Sequence, residues 1–71
     1  MTFQIYKVHL LNGEVIDVWE DYELPASEGL VGKFEKAKDR DILTFGDMYT
    51  GPIYVPKKSI LFISCGDVIE R

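Results

Sequence analysis

The chain has 71 residues and a mass of 8.1 kDa, which leaves room for a single domain spanning residues 1–71. Hydrophobic residues make up 46% and charged residues 28%, a composition that is typical of globular proteins and argues against intrinsic disorder. The net charge of -4 disfavours a basic nucleic-acid binder, while one cysteine and one histidine exclude an internal disulfide, a multi-cysteine zinc site and a histidine-rich metal site.

Residues 3–22 are predicted to form a β-hairpin. Strand-forming residues dominate 3–11 and 14–22, and the Asn12-Gly13 pair between them is a strong turn signal. A slip of one residue would turn every side chain to the opposite face of the sheet. The length of the loop therefore decides which residues are buried.

A three-residue loop that ends at Gly13 gives the better register. A two-residue loop would pair Val8 with Asp17 and place an acid on the apolar face. The longer loop pairs Val8 with Ile16 and Lys7 with Asp17, so we expect a type I turn with Gly13 in the left-handed conformation. The apolar face then consists of Tyr6, Val8, Leu10, Ile16 and Val18.

Residues 25–38 are predicted to form a short helix or a loop. Pro25 and Ser27 can begin a helix, and the apolar residues that follow recur at helical spacing. Two glycines weaken this helix by about 1 kcal/mol each relative to alanine, and the alternative is a loop followed by a strand from Leu30 to Ala37. We favour the helix. Its apolar face consists of Leu30, Val31 and Phe34.

Three more strands are predicted after this segment. They span residues 42–47, 53–55 and 59–64. Residues 48–52 are expected to form a turn around Gly51-Pro52, and Pro56 to end the second of these strands. Gly66-Asp67 is expected to end the last strand, leaving a tail that frays or adds one edge residue.

Two apolar clusters are expected to be buried by another part of the chain or by a partner. Residues 60–63 are apolar on both faces, a pattern typical of a strand covered on both sides. Phe3, Ile5 and Trp19 form a second cluster on the face opposite the main apolar face of the hairpin. The predicted helix or a neighbouring subunit would cover this cluster. Because so short a chain builds only a small core, we expect a homo-oligomer.

The order of elements resembles that of small five-stranded β-barrels of the SH3-like or Sm-like kind, as found in small proteins of bacteria or mobile elements. Residues 8–13 resemble the start of the first Sm motif, and residues 53–63 resemble the second. The resemblance implies a mostly β fold with one short helix, and a nucleic-acid-binding ring. The family's RNA-contacting residues are absent after Trp19 and are replaced at Val55-Pro56, so they do not carry over.

No catalytic, cofactor or metal residues are predicted, so we expect no enzyme. No sequence motif pairs a serine or cysteine nucleophile with His9, which we interpret as structural. Cys65 ends an apolar strand without a neighbouring cation, so we expect a buried small hydrophobe rather than a reactive thiol.

Five residues are predicted to make contacts with partners. Aromatic residues are enriched at binding hot spots, and apolar strand residues can form an interface. The interaction candidates are Trp19, Tyr49 and Ile63, with self-association through strand edges or the apolar face around Trp19 and Ile63. Lys57 and Lys58 are candidates for contact with an anion or a nucleic acid.

The function that these features favour is a non-enzymatic protein-interaction or assembly module, acting on an unidentified protein partner in an unknown pathway. The first alternative is an Sm-like ring that binds RNA or DNA, and the second is an acidic inhibitor of a nucleic-acid-binding protein. Residues 1–10 lack the pattern of a signal peptide, and no segment approaches the roughly 20 apolar residues of a membrane span. The lone cysteine favours the cytoplasm.

Overall fold

The computed structural model describes residues 1–47 and 51–71, apart from the side chains at 46 and 47, and it is mostly β, as predicted. Its elements are β1 (Thr2–Leu10), β2 (Val15–Asp21), α1 (Leu30–Lys36), β3 (Ile42–Asp47), β4 (Gly51–Pro56), a 3-10 turn (Lys57–Ser59) and β5 (Ile60–Glu70). Sheet A has the strand order β2-β1-β5, and sheet B pairs β3 with β4. The ladders of the described residues do not close into a barrel, so the barrel stays a prediction. None of the helices in the described ranges is long and apolar enough to cross a membrane.

The hairpin of β1 and β2 has the predicted register. Val8 lies opposite Ile16, and Lys7 lies opposite Asp17 with 3.2 Å between Lys7 Nζ and Asp17 Oδ1. Gly13 has a φ of 93°, the left-handed conformation expected at the end of the three-residue loop. Alternation of side chains along both strands then turns Val8 into the core, where it is fully buried.

The core lies between one face of sheet A, sheet B and α1. Its buried members are Val8, Val18, Leu30, Leu43, Phe45, Val55 and Ile60. Because α1 packs on this face through Leu30, it does not supply the cover that we expected for Phe3, Ile5 and Trp19. These three residues lie on the opposite face of sheet A, since Ile5 is paired with Trp19 in the ladder.

The predicted end of the last strand at Gly66-Asp67 is wrong, and so is the frayed tail. β5 runs for 11 residues and stays paired with β1 almost to the end of the chain. A bulge places Gly66 and Asp67 together opposite Ile5, and the ladder resumes where Val68 faces Gln4. The bulge absorbs the turn-forming pair without ending the strand.

The predicted strands at residues 42–47 and 53–55 are both confirmed, with changed bounds in the second. β3 has the predicted bounds, whereas β4 begins at Gly51 and includes Pro56, so it is longer than residues 53–55. β5 begins one residue later than predicted, because the 3-10 turn takes up Ser59. Of the predicted turn at 48–52, residues 48–50 lie outside the described residues, and Gly51 has a φ of 79°.

The helix is confirmed, but it is shorter than residues 25–38. It begins at Leu30, and the residues before it form turns. Gly29 at the N-cap offers no capping side chain, and the cap comes instead from β2, where Glu20 Oε2 accepts a hydrogen bond of 2.8 Å from the Leu30 N–H. This carboxylate also lies favourably at the positive end of the helix dipole.

The two glycines that weaken the helix lie at close contacts, Gly32 with backbone that cannot give way and Gly29 with the end of the Glu20 side chain, which can move. A Cβ atom at Gly29 would lie 2.0 Å from Glu20 Oε1, and one at Gly32 would lie 2.3 Å from the Ser27 carbonyl oxygen. The helix can approach β2 and the preceding turn because these positions carry no side chain. The loss in helix propensity is thus offset by the bond to Glu20 and by packing.

We expect Gly29→Ala to lower the free energy of unfolding by about 1–2 kcal/mol, because the new methyl group displaces the Glu20 carboxylate from its bond to Leu30. In a Glu20→Ala background the same substitution should cost about 1 kcal/mol less, since no carboxylate remains to be displaced. Urea unfolding of the two single variants and the double variant measures this coupling. Additive costs would show that Gly29 and Glu20 act independently.

Candidate interaction surface

The outer edge of β5 is a free strand edge. In sheet A, β2 and β5 are the edge strands, but β2 lies beside β3. The outer edge of β5 pairs with no strand in the described part of the chain. An unpaired edge presents backbone N–H and C=O groups that can bond to another strand.

The outer edge of β4 is less suited to strand pairing. The Lys57 N–H donates to the Asp41 carbonyl at 2.9 Å, so residue 57 points its N–H toward β3. By alternation, residues 52, 54 and 56 face the other way, and two of them are Pro52 and Pro56, which have no N–H. This edge therefore lacks two of its three donors, and proline protects it from pairing.

The backbone groups of Ile63 and Cys65 point outward from β5. The Leu11 N–H donates to the Ser59 carbonyl at 2.9 Å, which shows that the odd-numbered residues of β1 bond toward β5. Ser64 lies opposite one of these residues, Lys7, so its own groups point inward. Within the regular stretch from Phe62 to Cys65, Ile63 and Cys65 therefore supply the free donors and acceptors of the edge.

Exposed apolar side chains accompany this edge. Leu61 is 59% exposed, Phe62 is 49% exposed and Val68 is 53% exposed. Of residues 60–63, Ile60 is buried and Ile63 is half-buried. In the described part of the chain, the cover that we expected on both faces is missing for Leu61 and Phe62. Apolar side chains that are concentrated along a free edge are typical of an interface.

A groove of about 360 Å³, here called the β5 groove, lies between α1 and β5. Its walls are Tyr6, Val31, Phe34, Glu35, Leu61, Phe62, Ile63, Ser64 and Cys65. It is lined mainly by apolar atoms, with the Glu35 carboxylate as a charged group. The β5 groove lies alongside the free edge, so a segment that pairs with β5 can also place side chains in it.

A larger but shallower depression of about 530 Å³ lies between α1 and β3. Its wall contains Lys33, Lys36 and Asp41, all of them exposed, so opposite charges stand together in water. Such a surface offers less apolar area than the β5 groove and carries charges of both signs. The β5 groove is the better site on chemical grounds, although it is smaller.

His9 makes two contacts with β5 that the sequence did not reveal. Its ring stacks on Phe62 with 4.1 Å between centroids, and its Nε2 lies 2.9 Å from Ser64 Oγ. His9 thereby connects β1 with Phe62 and Ser64 of β5, and its interpretation as a structural residue stays a prediction.

Trp19 is covered in part by its own chain. Its ring centroid lies 5.8 Å from that of Phe3, and the Arg71 guanidinium lies 5.2 Å from it. Trp19 is half-buried, and Ile5 opposite it is buried. The expectation that Trp19 contacts a partner stays a prediction.

Trp19 and Ile63 do not share one apolar face, contrary to our expectation. Ile63 lies opposite Val8 on the core face of sheet A, whereas Trp19 lies opposite Ile5 on the other face. Ile63 is half-buried and lines the β5 groove, so its side chain belongs to the surface described above. Tyr49 lies outside the described residues.

Lys57 and Lys58 differ in their contacts. Lys57 Nζ donates to the Ala37 carbonyl and lies 4.8 Å from the centroid of the Phe34 ring. It thereby connects the 3-10 turn with the end of α1. Lys58 is exposed. The two lysines therefore do not form a pair of free cations, and their contact with an anion stays a prediction.

Cys65 is exposed, and the expectation that it is a buried hydrophobe is wrong. The cause is its place on an edge strand, where no further strand covers it. The described residues contain no group of three His, Cys, Asp or Glu side chains that could hold a metal ion.

Comparisons with known proteins do not assign this chain to a family. No protein-family model matches it, and no curated protein or solved structure does either. The resemblance to SH3-like and Sm-like barrels accordingly stays a prediction. The function is argued from the geometry of the β5 edge and the β5 groove.

The pKa of Tyr6, at the end of the β5 groove, is raised above its ordinary value. Burial is the largest cause, and the negative charges of Glu20 and Cys65 add to it. The neutral phenol is thus favoured in the folded chain. Because the unfolded chain loses this proton first as the pH rises, the contribution of Tyr6 to stability is lost in alkaline solution.

We expect the free energy of unfolding to fall more steeply above about pH 10 in the wild type than in Tyr6→Phe, since the variant has no phenol to ionise at this site. Urea unfolding at a series of pH values from about 8 to 11 measures the two slopes. Tyr54→Phe is the control, because Tyr54 is 68% exposed, and it should keep the slope of the wild type. Equal slopes in Tyr6→Phe and the wild type would contradict this account.

Proposed function

We propose that this protein is a small, non-enzymatic interaction and assembly module, and that the β5 edge with the β5 groove is its working surface. The observation that carries the proposal is an 11-residue edge strand with exposed apolar side chains beside an apolar groove. Backbone donors and acceptors, apolar area and a groove lie at one place on the molecule. Strand addition uses these same three elements.

Strand addition to β5 would proceed through main-chain hydrogen bonds to Ile63 and Cys65. The side chains of an added strand alternate between the two faces of the sheet. Those on the core face would reach the β5 groove, where Val31 and Phe34 of α1 form the opposite wall. The backbone would thus supply affinity, and the β5 groove would supply selectivity.

Strand addition would gain free energy by burying apolar residues that the small core leaves exposed. Full burial of a leucine or phenylalanine side chain is worth about 1.5–3 kcal/mol. Leu61 is 59% exposed and Phe62 is 49% exposed, so about half of that amount is still to be gained at each. For a chain of this size such a gain is a sizeable fraction of the total stability.

We also propose that the fold is a small β-barrel. The position of β2 beside β3 supports an SH3-like or Sm-like arrangement in which the two sheets form a small open barrel. The alternative function, a nucleic-acid-binding ring, receives less support because Lys57 is engaged by Ala37 and Phe34 and the chain carries a net charge of -4.

We expect the wild type to form an assembly whose mass exceeds 8.1 kDa, and Leu61→Glu to weaken this association about tenfold or more by placing a negative charge at the β5 edge. Ile42→Glu is the matched control, because Ile42 is 62% exposed but lies on sheet B, and it should keep the mass of the wild type. Light scattering on a sizing column, over a range of concentrations and with short RNA, measures the masses.

Two outcomes would contradict the proposal. A wild-type mass of one chain at every concentration would exclude an assembly, and equal losses in Leu61→Glu and Ile42→Glu would place the contact elsewhere. A mass that increases with short RNA and falls with added salt would favour the nucleic-acid-binding ring.

A further inference from the structure

We propose that the partner at the β5 edge is a second copy of this chain, and that the two β5 strands pair antiparallel about a two-fold axis at Ser64. This inference rests on the proposed function, to which it adds the identity of the partner and the register. Three independent features of β5 support it: its charge distribution, the direction of its backbone groups and the positions of its bulges.

The charges of β5 and its flanks favour antiparallel pairing. The basic residue Lys58 precedes the strand, and the acidic residues Asp67 and Glu70 lie near its end, all of them exposed. Arg71 follows Glu70, but its guanidinium lies over the Trp19 ring of its own chain. An antiparallel arrangement places the basic end of one copy beside the acidic end of the other. A parallel arrangement would place like charges together, which is unfavourable in a sheet.

The direction of the backbone groups requires the axis to pass through a residue. Ile63 and Cys65 point their N–H and C=O groups outward, and Ser64 points its own groups toward β1. An axis between two residues would place a residue whose backbone groups point outward opposite one whose groups point inward. The two strands could then form no hydrogen bonds. An axis on a residue pairs outward groups with outward groups.

The bulges of β5 select Ser64 among the possible residues. Leu61 is the extra residue of the first bulge, between Ile60 opposite Leu10 and Phe62 opposite His9. The second bulge holds Gly66 and Asp67. Leu61 stands three positions before Ser64 and Asp67 three positions after it.

A two-fold axis at Ser64 therefore places the bulge of one copy opposite the bulge of the other. Each strand then gains one extra residue at the same level, so the pairing stays in register beyond the bulges. An axis shifted by one residue in either direction would oppose a bulge to regular strand.

The resulting contacts fit the side chains. Ile63 lies opposite Cys65 of the second copy, with both side chains on the side of the β5 groove. Phe62 lies opposite Gly66 of the second copy, where an aromatic ring covers a position that has no side chain. Ser64 lies opposite Ser64. The product is a six-stranded sheet, and because the contact is isologous, it closes at two copies.

Disulfide formation at defined positions tests this register. Ser64 would occupy a non-hydrogen-bonded pair, in which Cα atoms are about 4.5 Å apart, within the range of a disulfide. The variant Ser64→Cys/Cys65→Ser should therefore convert largely to a covalent dimer under mild oxidation. In the wild type the two Cys65 residues would be diagonal neighbours about 7–8 Å apart, so the wild type should stay uncrosslinked.

A second variant guards against a folding defect caused by the loss of the Ser64 contact with His9. Ile63→Cys keeps Ser64 and places a thiol opposite the native Cys65 of the second copy, so it should also form a covalent dimer. Thr44→Cys/Cys65→Ser, with an exposed cysteine on sheet B, is the control that should stay uncrosslinked. Denaturing electrophoresis with and without reductant, and circular dichroism for the fold, give the readouts.

The outcomes separate this inference from the proposed function. A dimeric mass with efficient crosslinking of wild-type Cys65, but none of the Ser64→Cys/Cys65→Ser variant, would overturn the register and leave the interaction module in place. A chain that stays monomeric by light scattering and is not crosslinked in any variant would overturn both. A dimer that is crosslinked at residue 64 and is lost when Leu61→Glu is added, which places like charges opposite each other at Asp67 of the second copy, supports both.

Discussion

The pairing of β1 on both of its edges is the constraint on which the rest of the fold depends. β1 lies between β2 and β5 in sheet A, and Val8 near its centre is fully buried. The turn at Gly13 sets the register with β2, and that register turns the apolar side chains of both strands to one face. The apolar face so formed is the one on which α1 and sheet B pack. A shift of β1 by one residue would expose this core and bury the ion pair of Lys7 and Asp17.

The two neighbours of β1 are paired with it in different ways. The ladder with β2 supports the fold, and the ladder with β5 shapes the proposed interaction edge. The ladder with β2 is regular and continuous, whereas the ladder with β5 is interrupted twice. Bulges increase local twist and limit the length of flat edge that other chains can reach, so they protect β5 against indiscriminate aggregation. Between them lies a short regular stretch from Phe62 to Cys65 that can pair with a strand of matching shape. Proline serves a similar protective purpose on β4.

The sequence predicted those features that depend on neighbouring residues. The alternation of apolar and polar residues and the turn signal at Asn12-Gly13 were enough to predict the register of the hairpin, because both strands and their loop are continuous in the chain. The start of α1 was missed because its cap, Glu20, comes from β2 across a turn segment that carries no periodic signal. The exposure of Cys65 and the separation of Trp19 from Ile63 were missed because they depend on which strand lies at the edge and which face each residue takes. Composition and local pattern cannot supply that order of strands.

The cap that Glu20 provides to α1 also has a consequence for the order of folding. A helix of seven residues is too short to persist alone in water, and its N-cap residue offers no side chain. α1 therefore gains its cap only after β2 has brought the carboxylate to Leu30. Because the contacts of the β1–β2 hairpin are local, we expect the hairpin to form first and the helix to dock after the rate-limiting step. Loosening the helix would shorten the lifetime of the native state while leaving the speed of its formation nearly unchanged.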